Sequence, residues 1–136
     1  MEFHEVTSIF PLMEGDEYRA LVEDIRQHGL REPIWTYQGK IIDGRNRYRV
    51  CKELGIEPQY REWSGNGSLV LFVVSLNLHR RHLTPSQRAV AALEAEKWLA
   101  EEAKERQREA GRARAESERD ELGRYQKITY QLSQKF

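Results

Sequence analysis

The sequence predicts an α+β domain that continues into a charged helical extension. Short β-branched and aromatic runs alternate with helical apolar spacing up to about residue 63, and the remainder is dominated by helical patterns. The apolar periodicity then stops where a dense run of charge begins. A length of 136 residues, with 39% hydrophobic and 32% charged residues, suits one domain with an appendage.

Phe3 to Phe10 reads as a strand or an extended lead-in. Asp16 is placed to cap a helix whose Tyr18, Leu21, Val22 and Ile25 share one face, and Gly29 ends it. Pro33 to Tyr37 and Lys40 to Asp43 are extended runs on either side of Gln38-Gly39, a tight-turn pair, so they predict a hairpin. Arg45 to Leu54 predicts a helix with Val50, Cys51 and Leu54 facing inward. Gly55 stops it before a last strand around Gln59 to Trp63.

Ser64-Gly65-Asn66-Gly67-Ser68 is a loop, after which Leu69 to Leu78 is apolar almost all round, the pattern of a buried helix. A basic knot follows, His79-Arg80-Arg81-His82. Thr84-Pro85-Ser86-Gln87 then places threonine at a cap, proline at the first helical position and glutamine three residues after the cap, a capping box. Val90, Leu93, Trp98 and Leu99 are the expected packing face of the helix that begins there. From Glu101 to Glu121 two-thirds of the residues are charged and the only apolar side chains are alanines, so this stretch builds no core of its own. It is either a solvated helix or a segment that orders against a partner. Tyr125, Ile128 and Leu132 restore an apolar spacing too short to fold unaided. The expected organisation is a domain over residues 1–95 and a helical extension over 96–136.

The 22 basic and 22 acidic residues cancel, which argues against a basic protein that coats nucleic acid; any anion site must be local. Cys51 is the only cysteine, which excludes an internal disulfide and a cysteine-based zinc site and suits a reducing cytosol. There is no apolar run of membrane-spanning length and no signal-peptide pattern, so the expected location is cytoplasmic, with no membrane partner.

The local anion site is best sought in Ile42-Asp43-Gly44-Arg45-Asn46-Arg47-Tyr48-Arg49-Val50, where a glycine and alternating arginines separate a strand from a helix. Glycine lets the backbone pass close to a ligand, the helix start offers amide donors, and guanidinium groups bind phosphate in a bidentate way. Plainer readings stand beside this one. The arginines suit a solvated surface, Asn77 suits a helix C-cap, and His79 and His82 suit partners of helix-end carbonyls rather than metal ligands. Asp43 suits a helix cap, or a base or metal ligand beside phosphates.

Over roughly residues 5 to 95 the chain resembles the N-terminal domain of the ParB family, in the ParB/sulfiredoxin superfamily. Val22 to Gly29 and Arg31-Glu32-Pro33-Ile34 look like the family's glycine-ended helix and proline-containing strand. Gly44-Arg45-Asn46-Arg47-Tyr48-Arg49-Val50 is similar to its arginine-rich box. Leu76-Asn77-Leu78-His79-Arg80, followed by Leu83-Thr84-Pro85, is similar to its second box. The resemblance implies a small mixed sheet with helices, a domain that binds CTP with Mg2+, and a clamp that loads on DNA, with a second copy of the chain as a homodimer partner. The candidate nucleotide-binding residues are Gly44, Arg45, Asn46, Arg47, Arg49, His79 and Arg80, and Asn77 is the candidate magnesium ligand.

The departures refine this expectation. Arg45 and Asn46 stand where the family box has glutamate and arginine, so Gly44, Arg47 and Arg49 carry over directly. Leu76 stands where the second box has a carboxylate; a leucine neither orients water nor binds a metal, so weak or absent hydrolysis is expected and a glutamate at 76 is expected to raise it. The sulfiredoxin branch carries a cysteine just after the box glycine, where this chain has Arg45. The alternative among relatives is an enzyme, a small-molecule kinase or a nuclease, with Asp43 as base. No convincing helix-turn-helix is present, so DNA specificity is expected from a further domain or from elsewhere. Losing Arg47 or Arg49 is expected to weaken triphosphate binding and to leave the melting temperature nearly unchanged, as for exposed arginines.

Overall fold

A computed structural model describes residues 1–78, 80 and 82–135. By its internal contacts the chain divides into two compact units, Met1–Leu99 and Ala100–Phe136. The architecture is α+β, with four α-helices and a three-stranded mixed sheet among the described residues.

The first unit opens with a 3-10 helix, Glu5–Ile9, where a strand was one expected reading. Only Phe3 keeps an extended pairing, a parallel bridge to Ile41. The turn forms because the His4 side chain accepts from the Val6 amide at 3.0 Å, supplying locally a bond that a strand would seek from a neighbour. Burial, then Lys40, lowers the His4 imidazole pKa, which keeps Nδ1 free to accept.

Helix α1 spans Gly15–His28 and buries Ile25, with Gly29 at its C-cap (φ 74°) donating to the Ile25 carbonyl. Asp16 sits inside the first turn and pairs with Arg19; the N-cap is Glu14, without a side-chain cap bond, so the capping expected of Asp16 is not found. Strands β1 (Ile34–Tyr37) and β2 (Lys40–Asp43) form the antiparallel hairpin, closed by Gln38 and Gly39 at φ 51° and 76°. Two successive positive φ values give a turn whose twist matches the strands. Helix α2 spans Arg45–Leu54 and is stopped by Gly55, as its sequence predicts. Strand β3 (Tyr60–Glu62) adds parallel to β1, giving the order β2-β1-β3.

Helix α3 (Leu69–Leu78) covers one face of this unit. It buries Val70 and Val73, but Leu71 and Leu78 are 57% and 52% exposed, so the uniformly apolar run is buried on one side rather than all round. Val6, Ile9, Phe10, Ile42, Trp63, Val70 and Val73 form the main core, extended by Trp35, Tyr37 and Phe72. Helix α4 runs Pro85–Ser133. Its capping box is made in both directions, the Thr84 amide donating to Gln87 Oε1 at 3.0 Å and the Gln87 amide to Thr84 Oγ1 at 3.1 Å. Ala91 is its buried contact, with Ala95, Trp98 and Leu99 packed beside it, whereas Val90 and Leu93 are 59% and 60% exposed. Of the side chains expected to form the packing face, Trp98 and Leu99 therefore do so, while Ala91 and Ala95 take the places expected of Val90 and Leu93.

In the second unit some of the charges on α4 pair along the helix: Lys104 with Glu101, and Arg108 and Arg112 both with Glu105. Tyr125, Ile128 and Leu132 are exposed. Among the described residues no helix is long and apolar enough to cross a membrane.

Candidate anion-binding site

The hairpin, α2 and α3 deliver their polar ends to one cavity of about 330 Å³. That volume lies at the lower end of small-molecule sites, which run from about 300 to 1,000 Å³. Ile25, Ile42, Val73 and Phe10 supply apolar wall, and Asp43, Gly44, Arg45, Asn46, Arg47, Asn77 and Arg80 supply the polar part. The spacing of Val73, Asn77 and Arg80 explains the contribution of α3: residues four and seven apart lie on one face of a helix and its continuation.

Gly44 is the N-cap of α2, in the left-handed conformation at φ 101° and ψ 25°. A β-carbon there would stand 3.2 Å from both Arg47 Nη2 and Ile34 Cγ1, so the position suits glycine twice over, by conformation and by space. It brings the first turn of α2 to the cavity. Arg45 turns back to donate to the Phe10 carbonyl at 2.8 Å, while Asn46 Oδ1 accepts from the Met13 amide at 3.1 Å. Both residues line the cavity and also fasten the chain ahead of α1.

The centre of the site is a ring of alternating charges. Asp43 Oδ2 accepts from Arg47 Nη2 at 2.8 Å and from Arg80 Nη1 at 3.0 Å. Glu32 Oε2 faces the same two guanidinium groups from the other side, 3.1 Å from Arg47 Nη1 and 3.3 Å from Arg80 Nε. Asn77 donates to Asp43 Oδ1 at 3.0 Å and to the Val73 carbonyl at 2.8 Å, and Arg47 Nη1 also donates to the Pro33 carbonyl. The ring is unevenly buried: side-chain exposure is 4% for Asp43, 11% for Arg47, 30% for Arg80 and 55% for Glu32. Burial pushes the Arg47 pKa down, and the Asp43 carboxylate works against that shift.

Arg47 is therefore a nearly buried cation held between two carboxylates and not the exposed arginine expected at a helix start. Its loss is expected to cost stability as well as binding. Arg49 lines no part of the cavity: it donates to the Met13 carbonyl at 3.3 Å and to Asn46 Oδ1 at 3.4 Å, and its guanidinium lies 4.5 Å from the Tyr18 ring centroid. His79 falls outside the described residues. Glu32 carried no signal in the sequence beyond its place before Pro33; Leu21 and Ile25 were legible as one face of α1, but their place in the cavity wall, with Leu30 just beyond the helix, depends on α1 packing against α2. Cys51 is fully buried, and burial pushes its thiol pKa up.

The donor set suits anions better than metals. Both Asp43 oxygens are already engaged by cationic or amide donors, and among the described residues no three His, Cys, Asp or Glu side chains gather at metal-ligand spacing. Asn77 could add one hard oxygen to a cation that arrives on phosphate groups, the usual state of magnesium, but the described residues build no metal cage of their own.

No protein-family model matches the chain, and no curated protein matches it.

Proposed function

We propose that this cavity binds a nucleoside triphosphate through its phosphates, with CTP the first candidate, and that the chain is the nucleotide-binding module of a ParB-like DNA-partition or DNA-binding regulatory protein. The observation that carries the reading is the convergence of Arg47, Arg80 and the Gly44-capped start of α2 on one cavity. Guanidinium groups and helix-start amides together are the donors that phosphate chains prefer. Apolar wall from Ile25, Phe10 and Val73 leaves room beside them for a less polar part of the ligand.

Within this reading Asp43 is the anchor that holds Arg47 and Arg80 together, and Asn77 orients Asp43. Magnesium enters on the phosphates, with Asn77 as the chain's contribution to its shell. Arg45, Asn46 and Arg49 act one step back by fixing the segment before α1 to the start of α2. DNA, a second copy of the chain and a cytoplasmic setting belong to the same proposal and rest on the likeness of the two boxes to the ParB family. Asp43 as the base of a kinase or nuclease is the competing reading, and it is the weaker because cations occupy the oxygen that would take a proton.

Titration calorimetry with ATP, CTP, GTP and UTP, each with magnesium, tests the proposal. Saturable binding of at least one, strongest for CTP and weakened in Arg80→Ala, supports it. Absence of binding by all four at millimolar ligand overturns it.

A further inference from the structure

Two carboxylates grip the same pair of guanidinium groups, and they differ in one respect that matters for function. Asp43 is 4% exposed, is held by Asn77 as well, and lies on a strand of the sheet. Glu32 is 55% exposed, lies between α1 and β1 outside any regular element, and meets the arginines only through its Oε2. Asp43 is the fixed counter-ion and Glu32 the free-ended one. Glu32 also occupies the side of Arg47 and Arg80 that Asp43 leaves open, and it lines the cavity.

We propose that Glu32 is a built-in competitor: a tethered anion that occupies the phosphate position on Arg47 and Arg80 and that an incoming phosphate must displace. This rests on the reading of the cavity as a phosphate site. Electrostatics require some occupant there, because Arg47 is nearly buried and one carboxylate is not enough to neutralise two adjacent guanidinium groups. A phosphate that evicts Glu32 brings more than the one negative charge it displaces and offers several oxygens in place of one, whereas a singly charged anion gains nothing over a carboxylate already present at high effective concentration. The device thus keeps the empty site folded and raises the threshold for weak anions. Pro33 supports it by disfavouring helical backbone at Glu32, so that the helix that ended at His28 does not resume there.

The test uses inorganic triphosphate as the probe, so that base recognition plays no part, with the full chain, Glu32→Gln, Glu32→Ala and Glu57→Gln. Glu57 is exposed and lines no part of the cavity, so its variant matches the change in net charge alone. The expected result is binding about two- to tenfold tighter in both Glu32 variants than in the parent, the size of a part-exposed ion pair released, with Glu57→Gln unchanged. Thermal melting run alongside should fall slightly in both, since the ring loses an anion. If the parent binds and the Glu32 variants bind equally or more weakly, or if Glu57→Gln tightens binding as much, the competitor role is overturned and the phosphate site stands. If neither parent nor variants bind, the phosphate-site reading falls and the competitor role with it.

Discussion

Asn77 donates its side-chain amide to Asp43 Oδ1 at 3.0 Å, joining two residues 34 positions apart in sequence and bringing the end of α3 to the end of β2. This bond explains why Arg80, three residues further on, reaches the same carboxylate. It also orients Asp43 so that its other oxygen is shared by both arginines.

Asp43→Asn should therefore act on stability first. Removing the charge leaves Arg47 and Arg80 with only the half-exposed Glu32, and about 3 kcal/mol of stability should be lost, the low end of the cost of breaking a buried pair because Arg80 remains part-exposed. Urea melts of parent and variant measure it. An unchanged midpoint would show that the ring contributes nothing to the fold.

The three arginines should separate in their effects. Arg80→Ala should weaken triphosphate binding by about 1.5 to 3 kcal/mol, the size of a charge-assisted contact, with a small change in melting. Arg47→Ala should weaken binding similarly and also cost about 3 kcal/mol of stability, since it uncovers the buried Asp43. Arg49→Ala should affect binding least, because its partners are Met13, Asn46 and the Tyr18 ring. Calorimetry and melting on the three variants check the order; Arg49→Ala as the most damaging to binding would move the phosphate site away from the cavity.

Gly44→Ala tests the cap. A side chain at φ 101° is strained wherever it sits, and here its β-carbon would press on the fully buried Ile34 and on Arg47 Nη2. The cost should be about 1 to 3 kcal/mol, with weaker triphosphate binding as Arg47 shifts. A variant that melts and binds like the parent would mean that α2 begins differently.

The fold was most legible where the chemistry is local. The positive-φ pair Gln38-Gly39, the stop at Gly55 and the reciprocal Thr84–Gln87 bonds each depend on residues within a few positions, so their sequence signatures were sufficient. Long-range packing was not legible. Ala91 rather than Val90 or Leu93 is buried because of what α4 packs against, and no periodicity in α4 alone distinguishes the two faces. For the site, the two basic boxes pointed to Asp43, Gly44, Arg45, Asn46, Arg47, Asn77 and Arg80, which do converge on the cavity, and to Arg49, which does not. Their mutual neutralisation, and the part of Glu32 in it, depends on distances that spacing along the chain does not encode.

A pH effect on folding should come from His4. Its folded pKa is lowered below the ordinary 6.5, chiefly by burial, so the unfolded chain binds the proton more readily. Stability is then fully present above that ordinary value and is lost as pH falls below it toward the folded pKa, when protonated Nδ1 no longer accepts from Val6. Asparagine keeps an acceptor without titrating, so His4→Asn should lose less melting temperature than the parent between neutral and mildly acidic pH. Equal losses would place the acid sensitivity on another group.

The last prediction concerns turnover. A hydrolase needs a group that positions water against the outermost phosphate, and the buried carboxylate of the cavity, Asp43, is committed to Arg47, Arg80 and Asn77. Leu76, where the ParB box carries a carboxylate, is half-buried on α3 and lines no part of the cavity; Val73, Asn77 and Arg80 face it instead. Incubation of the parent with labelled CTP and magnesium should therefore return the nucleotide intact. The earlier expectation that a glutamate at 76 raises hydrolysis changes accordingly: Leu76→Glu should fold, because its side chain can reach solvent from a half-buried position, and should hydrolyse no faster than the parent. Melting curves must accompany the assay so that loss of fold is not read as loss of activity. A folded Leu76→Glu variant with a clear gain would mean that nucleotide draws residue 76 into the site, and rapid turnover by the parent would bring Asp43 forward as a base.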